Sequence, residues 1–362
     1  MSHRIYNFSA GPAILPEAVL EEAANGVREI AGSGMSILEV SHRGKQYDAI
    51  HSDAEARLLR VLGLSADEYF PLFLQGGASL QFAMVAQNFL APGQTADYIV
   101  SGDWGAKALK EAKHYGDARE AASSKSDKYS HLPKTFTQTP GARYIHLTTN
   151  NTIEGTEYAQ IPDVGATPLV ADGSSDFLAL DRDYSKFALL YAGAQKNAGP
   201  AGVTMVLVRK SFLETANTNI PAILAYKTFA DANSLYNTPP CFAVYVVGLV
   251  LKWVEEQGGL AAVEQHNKAK AAILYNALDE LAPFYQPTVT ENADRSLMNV
   301  TWRLADESLE PALLAEAKAH GMDGLKGHRS VGGFRASIYN AFPQAGVQAL
   351  ADLLRDFAQR KG

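Results

Sequence analysis

The stretch Leu189-Leu190-Tyr191-Ala192-Gly193-Ala194-Gln195-Lys196-Asn197-Ala198-Gly199-Pro200-Ala201-Gly202 reads as two strand ends joined by a turn of small residues. The apolar run Phe187 to Tyr191 leads into it and a second run, Val203 to Val208, leaves it. Short apolar runs punctuated by glycine and proline are expected to be buried strands. Between them stands one lysine, Lys196, among residues small enough to let the backbone turn tightly and a planar ligand approach. An amine taken out of water, with no carboxylate beside it in the sequence, favours its neutral form and is a candidate Schiff-base nucleophile. A solvated loop lysine would have the same local sequence, so the choice rests on the rest of the chain.

Working outward, the alternation recurs. Upstream, Tyr69 to Leu74 is an expected strand that stops at Gln75-Gly76-Gly77-Ala78-Ser79 and feeds an apolar helix, Leu80 to Leu90. Strand Asp97 to Ser101, helix Gly105 to Tyr115, and strands Tyr144 to Leu147 and Thr167 to Ala171 follow before the lysine turn. Two helices, Pro16 to Ile30 and Tyr47 to Leu62, precede them. Alternation of this kind predicts an α/β fold with a mainly parallel sheet covered by helices on both faces. The serine- and lysine-rich segment Ala121 to Gly141 is expected to be loop and exposed helix. Helices Pro240 to Gln257 and Leu260 to Leu281 flank Gly258-Gly259, an expected hinge. From Ser296 the order becomes strand (Leu297 to Trp302), helix (Leu309 to His320), strand (Phe334 to Ile338) and helix (Pro343 to Arg360). The expected organisation is a large domain over 16–258 and a smaller α+β domain from 1–15 and 259–362.

Composition narrows the function. The 362 residues, 47% hydrophobic and 20% charged, are ordinary for a globular chain with room for two domains. A net charge of -7 argues against nucleic acid or an anionic membrane as the main partner, so an anionic substrate must be met by a local cluster of cations. The single cysteine, Cys241, excludes an intramolecular disulfide framework and a cysteine-based metal site. Met1 to Asn7 lack an apolar signal core and Cys241 to Trp253 is too short to cross a bilayer, so a cytoplasmic location is expected.

Several segments carry chemistry. Gly76-Gly77-Ala78-Ser79 lies between a strand and a helix, where free N–H groups can hold a phosphate; it lacks the lysine of a P-loop, and glycines also mark ordinary turns. Trp104, in Ser101-Gly102-Asp103-Trp104, follows a strand's carboxyl end, where ligands of α/β sheets bind, although a core tryptophan fits as well. Asp172 ends the strand before Gly173-Ser174-Ser175; a carboxylate there needs a cation or hydrogen bonds, and a protonated pyridine nitrogen or a turn's own N–H groups would serve. Asn150-Asn151-Thr152-Ile153-Glu154-Gly155 offers a hydroxyl at the same edge. Lys326-Gly327-His328-Arg329-Ser330-Val331-Gly332-Gly333-Phe334-Arg335 gathers cations among glycines in an acidic protein, which points to anion capture; His42-Arg43 is a smaller pair of the same kind.

Six segments together carry a resemblance. Phe8-Ser9-Ala10-Gly11-Pro12, Glu39-Val40-Ser41-His42-Arg43, Phe73-Leu74-Gln75-Gly76-Gly77-Ala78-Ser79, Tyr191-Ala192-Gly193-Ala194-Gln195-Lys196-Asn197, Asn237-Thr238-Pro239-Pro240 and Lys326 to Gly333 resemble those of the phosphoserine aminotransferase family. They occur in the family's order and spread over nearly the whole chain. Ser101-Gly102 stands where the family usually has Thr-Gly, and Gly173 where a larger residue is common. Neither departure removes a reacting group.

The resemblance implies a fold-type I, pyridoxal 5'-phosphate-dependent homodimer with shared active sites. It implies that Lys196 carries the cofactor as a Schiff base and moves a proton between Cα and C4′, and that Asp172 pairs with the pyridine nitrogen. Trp104 would stack on the ring and Thr152 would meet its phenolic oxygen. Gly77, Ala78 and Gln195 would hold the cofactor phosphate, with Asn237 and Thr238 reaching it from the neighbouring subunit. Arg335 would clamp the substrate α-carboxylate. Ser9, His42, Arg43, His328 and Arg329 would complete the substrate site. The implied reaction is amino transfer from L-glutamate to 3-phosphohydroxypyruvate, giving O-phospho-L-serine and 2-oxoglutarate, with a related phosphorylated substrate of pyridoxine synthesis also conceivable. A serine–glyoxylate type aminotransferase, a cysteine desulfurase and a cofactor-binding regulator are the competing readings. Cys241, at a helix start, is poorly placed for a desulfurase, and no DNA-binding segment is appended.

Overall fold

The computed structural model describes residues 4–30 and 32–362; Met1 to His3, part of the expected small-domain segment, lie outside the described residues. In chain order, β1 (Tyr6–Asn7), α1 (Glu17–Arg28) and α2 (Lys45–Val61) lead to β2 (Tyr69–Leu74), α3 (Gly77–Phe89), β3 (Thr95–Val100), α4 (Asp103–Ala112) and β4 (Asp117–Ser123). Then come β5 (Ile145–Thr148), a small hairpin of β6 (Asn150–Asn151) and β7 (Thr156–Glu157), β8 (Leu169–Asp172), β9 (Phe187–Gly193) and β10 (Thr204–Arg209). Short helices α5 (Lys210–Leu213) and α6 (Tyr226–Asp231) precede the long α7 (Cys241–Glu256) and α8 (Gly259–Glu280). The chain ends in β11 (Tyr285–Pro287), β12 (Asn299–Leu304), α9 (Glu310–Ala319), β13 (Met322–Asp323), β14 (Phe334–Ser337) and α10 (Gln344–Lys361).

Seven strands form the main sheet in the order β2-β10-β9-β8-β5-β3-β4. Only β10 runs against its neighbours, pairing antiparallel with both β2 and β9. The reason for its burial is plain in β9, whose seven residues are all buried. Leu190 and Ala192 pack on one face with Leu58 of α2 and Val247 of α7, while Leu189 and Tyr191 pack on the other with Phe82 of α3 and Leu109 of α4. A strand covered on both sides reads as a continuous apolar run, as this one does.

The smaller sheet, β11-β12-β14, is antiparallel and packs with α8, α9 and α10; Trp302 and Phe334 stack in its core at 5.4 Å between centroids. Phe8 joins that core, and β1 pairs with β13, so the amino-terminal segment is built into the carboxyl-terminal unit. Leu260 and Val263, at the start of α8, still pack with the large sheet. Among the described residues, no helix is long and apolar enough to cross a membrane.

Three expectations need correction. Helix α3 begins at Gly77 and not at Leu80, because the chain turns into the helix within the glycine pair. Helix α4 begins at Asp103 and not at Gly105, which puts Trp104 in its first turn. The segment Ala121 to Gly141 is not loop and exposed helix throughout: it opens with the end of β4, and its one helical piece is a single 3-10 turn, Lys125–Asp127. An edge strand has one neighbour, here β3, and needs no apolar run, so Asp117–Ser123 gave no strand signal. The rest of the segment is anchored, with Tyr129 and Leu132 buried and the Leu132 N–H donating to Asp294 Oδ2 at 2.8 Å.

Candidate active site

Parallel strands bring their carboxyl ends to one edge, and this sheet delivers a different functional group from each. There β2 leads to Gly76-Gly77, β3 to Gly102 and Trp104, β5 to Thr148 and the hairpin turn that carries Thr152, β8 ends on Asp172, and β9 leads to Gln195 and Lys196. A cavity of about 140 Å³ is lined by Gly77, Ala78, Ser79, Trp104, Thr148, Asn150, Thr152, Asp172, Ser174, Ser175, Gln195 and Lys196. Seven of the expected site residues therefore meet in one place: Gly77, Ala78, Trp104, Thr152, Asp172, Gln195 and Lys196.

Lys196 Nζ donates to Thr152 Oγ1 at 2.6 Å. Burial lowers its ammonium to about 8, with Asp172 opposing that shift and Arg335 adding to it. The carboxylate missing beside Lys196 in sequence is thus supplied in space by Asp172. Asp172 is 5% exposed, and its Oδ1 accepts the Ser174 N–H at 2.9 Å. Burial pushes its carboxyl above the ordinary range, and the nearby Lys196 charge offsets part of that. Such a buried acid is built for a cationic partner.

Gly76 stands in left-handed backbone with φ of 91°, and a Cβ there would meet Leu80 Cδ2 at 2.5 Å. The turn it permits starts α3 with no side chain capping its first N–H groups, which leaves them and the positive helix end to an anion. Trp104 Nε1, Thr148 Oγ1 and Asn150 Oδ1 are buried without partners, three orphaned polar atoms on residues that line one cavity. A buried acid, an amine poised near neutrality, an aromatic face and an anion-binding helix end fit a planar, phosphorylated heteroaromatic group with a basic ring nitrogen.

Arg335, on β14, approaches from the small sheet, and its Nη1 donates to the Thr152 carbonyl at 3.1 Å. Its Nε is buried without a partner. Burial, then the Arg335 charge, holds His328 below its ordinary value, and the Asp103 charge opposes this. Its Nδ1 lies 2.7 Å from Ser330 Oγ, and Arg329 is exposed beside it. Other expected residues do not line the Lys196 cavity of their own chain. His42 lines a separate cavity of about 430 Å³ with Thr238 and Cys241. Arg43 is exposed next to it, and Asn237 lines a third cavity with Gln75 and Gly76. The Thr238 carbonyl accepts Gln75 Nε2 at 2.8 Å. Ser9 packs against Gly324, while Gly11, two residues on, lies against the Lys196 stem.

Sequence reasoning did not single out Thr148, Ser174 or Asn197. The first two lie at strand ends, where the position alone is a usable signal. Asn197 Oδ1 accepts the Asn340 N–H at 3.0 Å and so ties the residue after Lys196 to the segment that follows β14, a contact no local pattern announces.

Comparisons with known proteins identify the family of the chain. Residues 5–350 match the family model for class-V aminotransferases. The phosphoserine aminotransferase of Desulfosudis oleivorans is 53% identical over 364 residues, covering 100% of both chains. The solved phosphoserine aminotransferase of Bacillus circulans subsp. alkalophilus superposes with a TM-score of 0.97 at 50% identity, covering 100% of both chains. The PLP-bound enzyme of that name from Trichomonas vaginalis has a TM-score of 0.91 at 36% identity, covering 97% of this chain and 100% of its own. On these matches the chain belongs to the class-V aminotransferases and, among them, to the phosphoserine aminotransferase family.

Proposed function

We propose that the cavity binds pyridoxal 5'-phosphate on Lys196 and that the chain transfers the amino group of L-glutamate to 3-phosphohydroxypyruvate. The observation that carries the reading is the convergence of Lys196, Thr152 and Asp172 beside the uncapped start of α3. When bound, the cofactor supplies a carbonyl for the amino group and an electron-accepting ring. With its ammonium near 8, Lys196 can act as nucleophile and as the base that moves a proton between Cα and C4′. Asp172 would hold the ring-nitrogen proton. The N–H groups of Gly77 and Ala78, with Gln195, would hold the phosphate, Trp104 would cover the ring, and Thr152 would offer its hydroxyl to the phenolic oxygen.

Arg335 orients the α-carboxylate common to both substrates. His328 and Arg329 take the second anion, which is a carboxylate on glutamate and a phosphate on the acceptor. A clamp for one carboxylate together with a second group of donors serves any small acid bearing two anions, including a phosphorylated hydroxy-oxo-acid of pyridoxine synthesis. Turnover of 3-phosphohydroxypyruvate against hydroxypyruvate tests the pocket, since each charge-assisted hydrogen bond contributes on the order of 1.5–3 kcal/mol. Comparable kcat/KM for the two would reduce the chain to a generic aminotransferase. On the same estimate, Arg329→Ala is expected to lower kcat/KM for the phosphorylated substrate by roughly ten- to a hundred-fold. Arg335→Ala is expected to impair both half-reactions.

We also propose a homodimer with shared sites. Its support is that His42, Arg43, Asn237 and Thr238 do not line the Lys196 cavity of their own chain, while Asn237 and Thr238 lie against Gln75 and Gly76 beside it. Mixing a Lys196→Ala chain with an inactive Asn237→Ala, Thr238→Ala chain is then expected to restore activity, because one site of the hybrid is intact. No recovery despite demonstrated subunit exchange removes the shared site. The division into 16–258 and 1–15 with 259–362 is proposed on the same footing, supported by the separate core around Trp302.

A further inference from the structure

The hairpin turn that carries Thr152 also carries a buried acid with no part in the chemistry above. Glu154 is 4% exposed, and its Oε1 accepts the Asp103 N–H at 2.7 Å. That bond holds the first turn of α4, which its own cap residue Gly102 leaves without a side-chain acceptor, one residue before Trp104. Gly102 makes the approach possible: a Cβ there would stand 2.7 Å from Glu154 Oε2 and 2.4 Å from Asn151 Oδ1. The Glu154 carbonyl accepts Thr301 Oγ1 at 2.9 Å, from β12 of the small sheet. Its Oε2 is buried without a partner.

We infer that Glu154 is a positioning residue, whose carboxyl group seats the Trp104 helix against the turn that holds Thr152 and anchors Arg335. The inference rests on the reading that Trp104 faces the cofactor. The titratable groups around Glu154 are Asp103 from α4, Tyr129 from the segment after β4, and Arg335 from β14. Asp127, Lys128 and Arg303 line the same cleft. Burial raises the Glu154 carboxyl to about 7; the Asp103 N–H bond opposes this, the Asp103 charge adds to it, and Arg335 opposes it further. An ionised acceptor binds an N–H more strongly than a neutral one, so the seat of Trp104 tightens as pH rises through neutrality.

The test uses full-length protein with the cofactor removed, titrated with pyridoxal 5'-phosphate, and the Trp104 fluorescence obtained by difference from W104F. Loss of a helix cap predicts that E154A raises the cofactor Kd roughly ten-fold. E154Q keeps an acceptor of the same shape but cannot ionise, so it is expected to restore most of the affinity. Trp104 fluorescence is expected to titrate near pH 7 in the unmutated chain and to be flat in E154Q. Wild-type affinity in E154A, or a titration that persists in E154Q, overturns the inference. Should E154A not fold, the E154Q titration alone decides it. Wild-type affinity in W104A instead overturns the cofactor-facing reading of Trp104, while the E154Q titration still reports the seat.

Discussion

Lys196→Ala is expected to lose at least about 10⁴-fold in glutamate-dependent turnover while staying folded and still taking up cofactor without a covalent bond. General acid–base help alone is typically worth about 10²–10⁴-fold, and this variant loses the nucleophile as well. The fold should survive because the lysine is partly accessible at the cavity and its side chain makes its polar bond to Thr152. The parts that hold the rest of the cofactor, Asp172, Trp104 and the start of α3, come from β8, α4 and β2–α3 and are untouched. Steady-state transamination, thermal unfolding and the absorbance of bound cofactor measure the three claims. Turnover near that of the unmutated enzyme would remove Lys196 from the centre of the mechanism.

Much of this site could be read before the structure, and the reason is topological. A mainly parallel sheet gathers its strand ends, so a residue's position just past an apolar run already assigns it to the shared edge. Asp172, Lys196 and the Gly76-Gly77 turn were legible in that way. The orphaned polar atoms of Thr148 and Asn150 were not, because being buried without a partner belongs to the assembled cavity. Strand β4 stayed hidden because an edge strand needs little apolar sequence. Glu154 stayed hidden for a different reason: its partner is a backbone N–H 51 residues away, and backbone donors leave no trace in composition. Asn237 and Thr238 rest on the family resemblance and His42-Arg43 on their charge, and none of the four lines the Lys196 cavity of its own chain.

Asp172→Asn is expected to be the second most damaging change, lowering kcat by about 10²–10³-fold with little change in KM for glutamate. Asparagine matches the shape and still offers an oxygen to the Ser174 N–H, so the loss isolates the charge. Removing one partner of a buried charge pair costs about 3–5 kcal/mol, which sets the size of the effect. KM should move little because the α-carboxylate is assigned to Arg335, on a different element. The sign of the stability effect provides a second check. Burial holds the Asp172 carboxyl above its unfolded value in the protein without cofactor. A raised acid contributes stability that is fully present below its unfolded pKa and is lost as pH rises through the folded one. At neutral pH the cofactor-free Asn variant should therefore unfold at a temperature no lower than the cofactor-free parent. Adding pyridoxal 5'-phosphate should reverse the order, because only the aspartate gains a cationic partner. A variant that keeps its kcat within a few-fold of the parent, or a melting order that cofactor leaves unchanged, would mean that the ring nitrogen is held by some group other than Asp172.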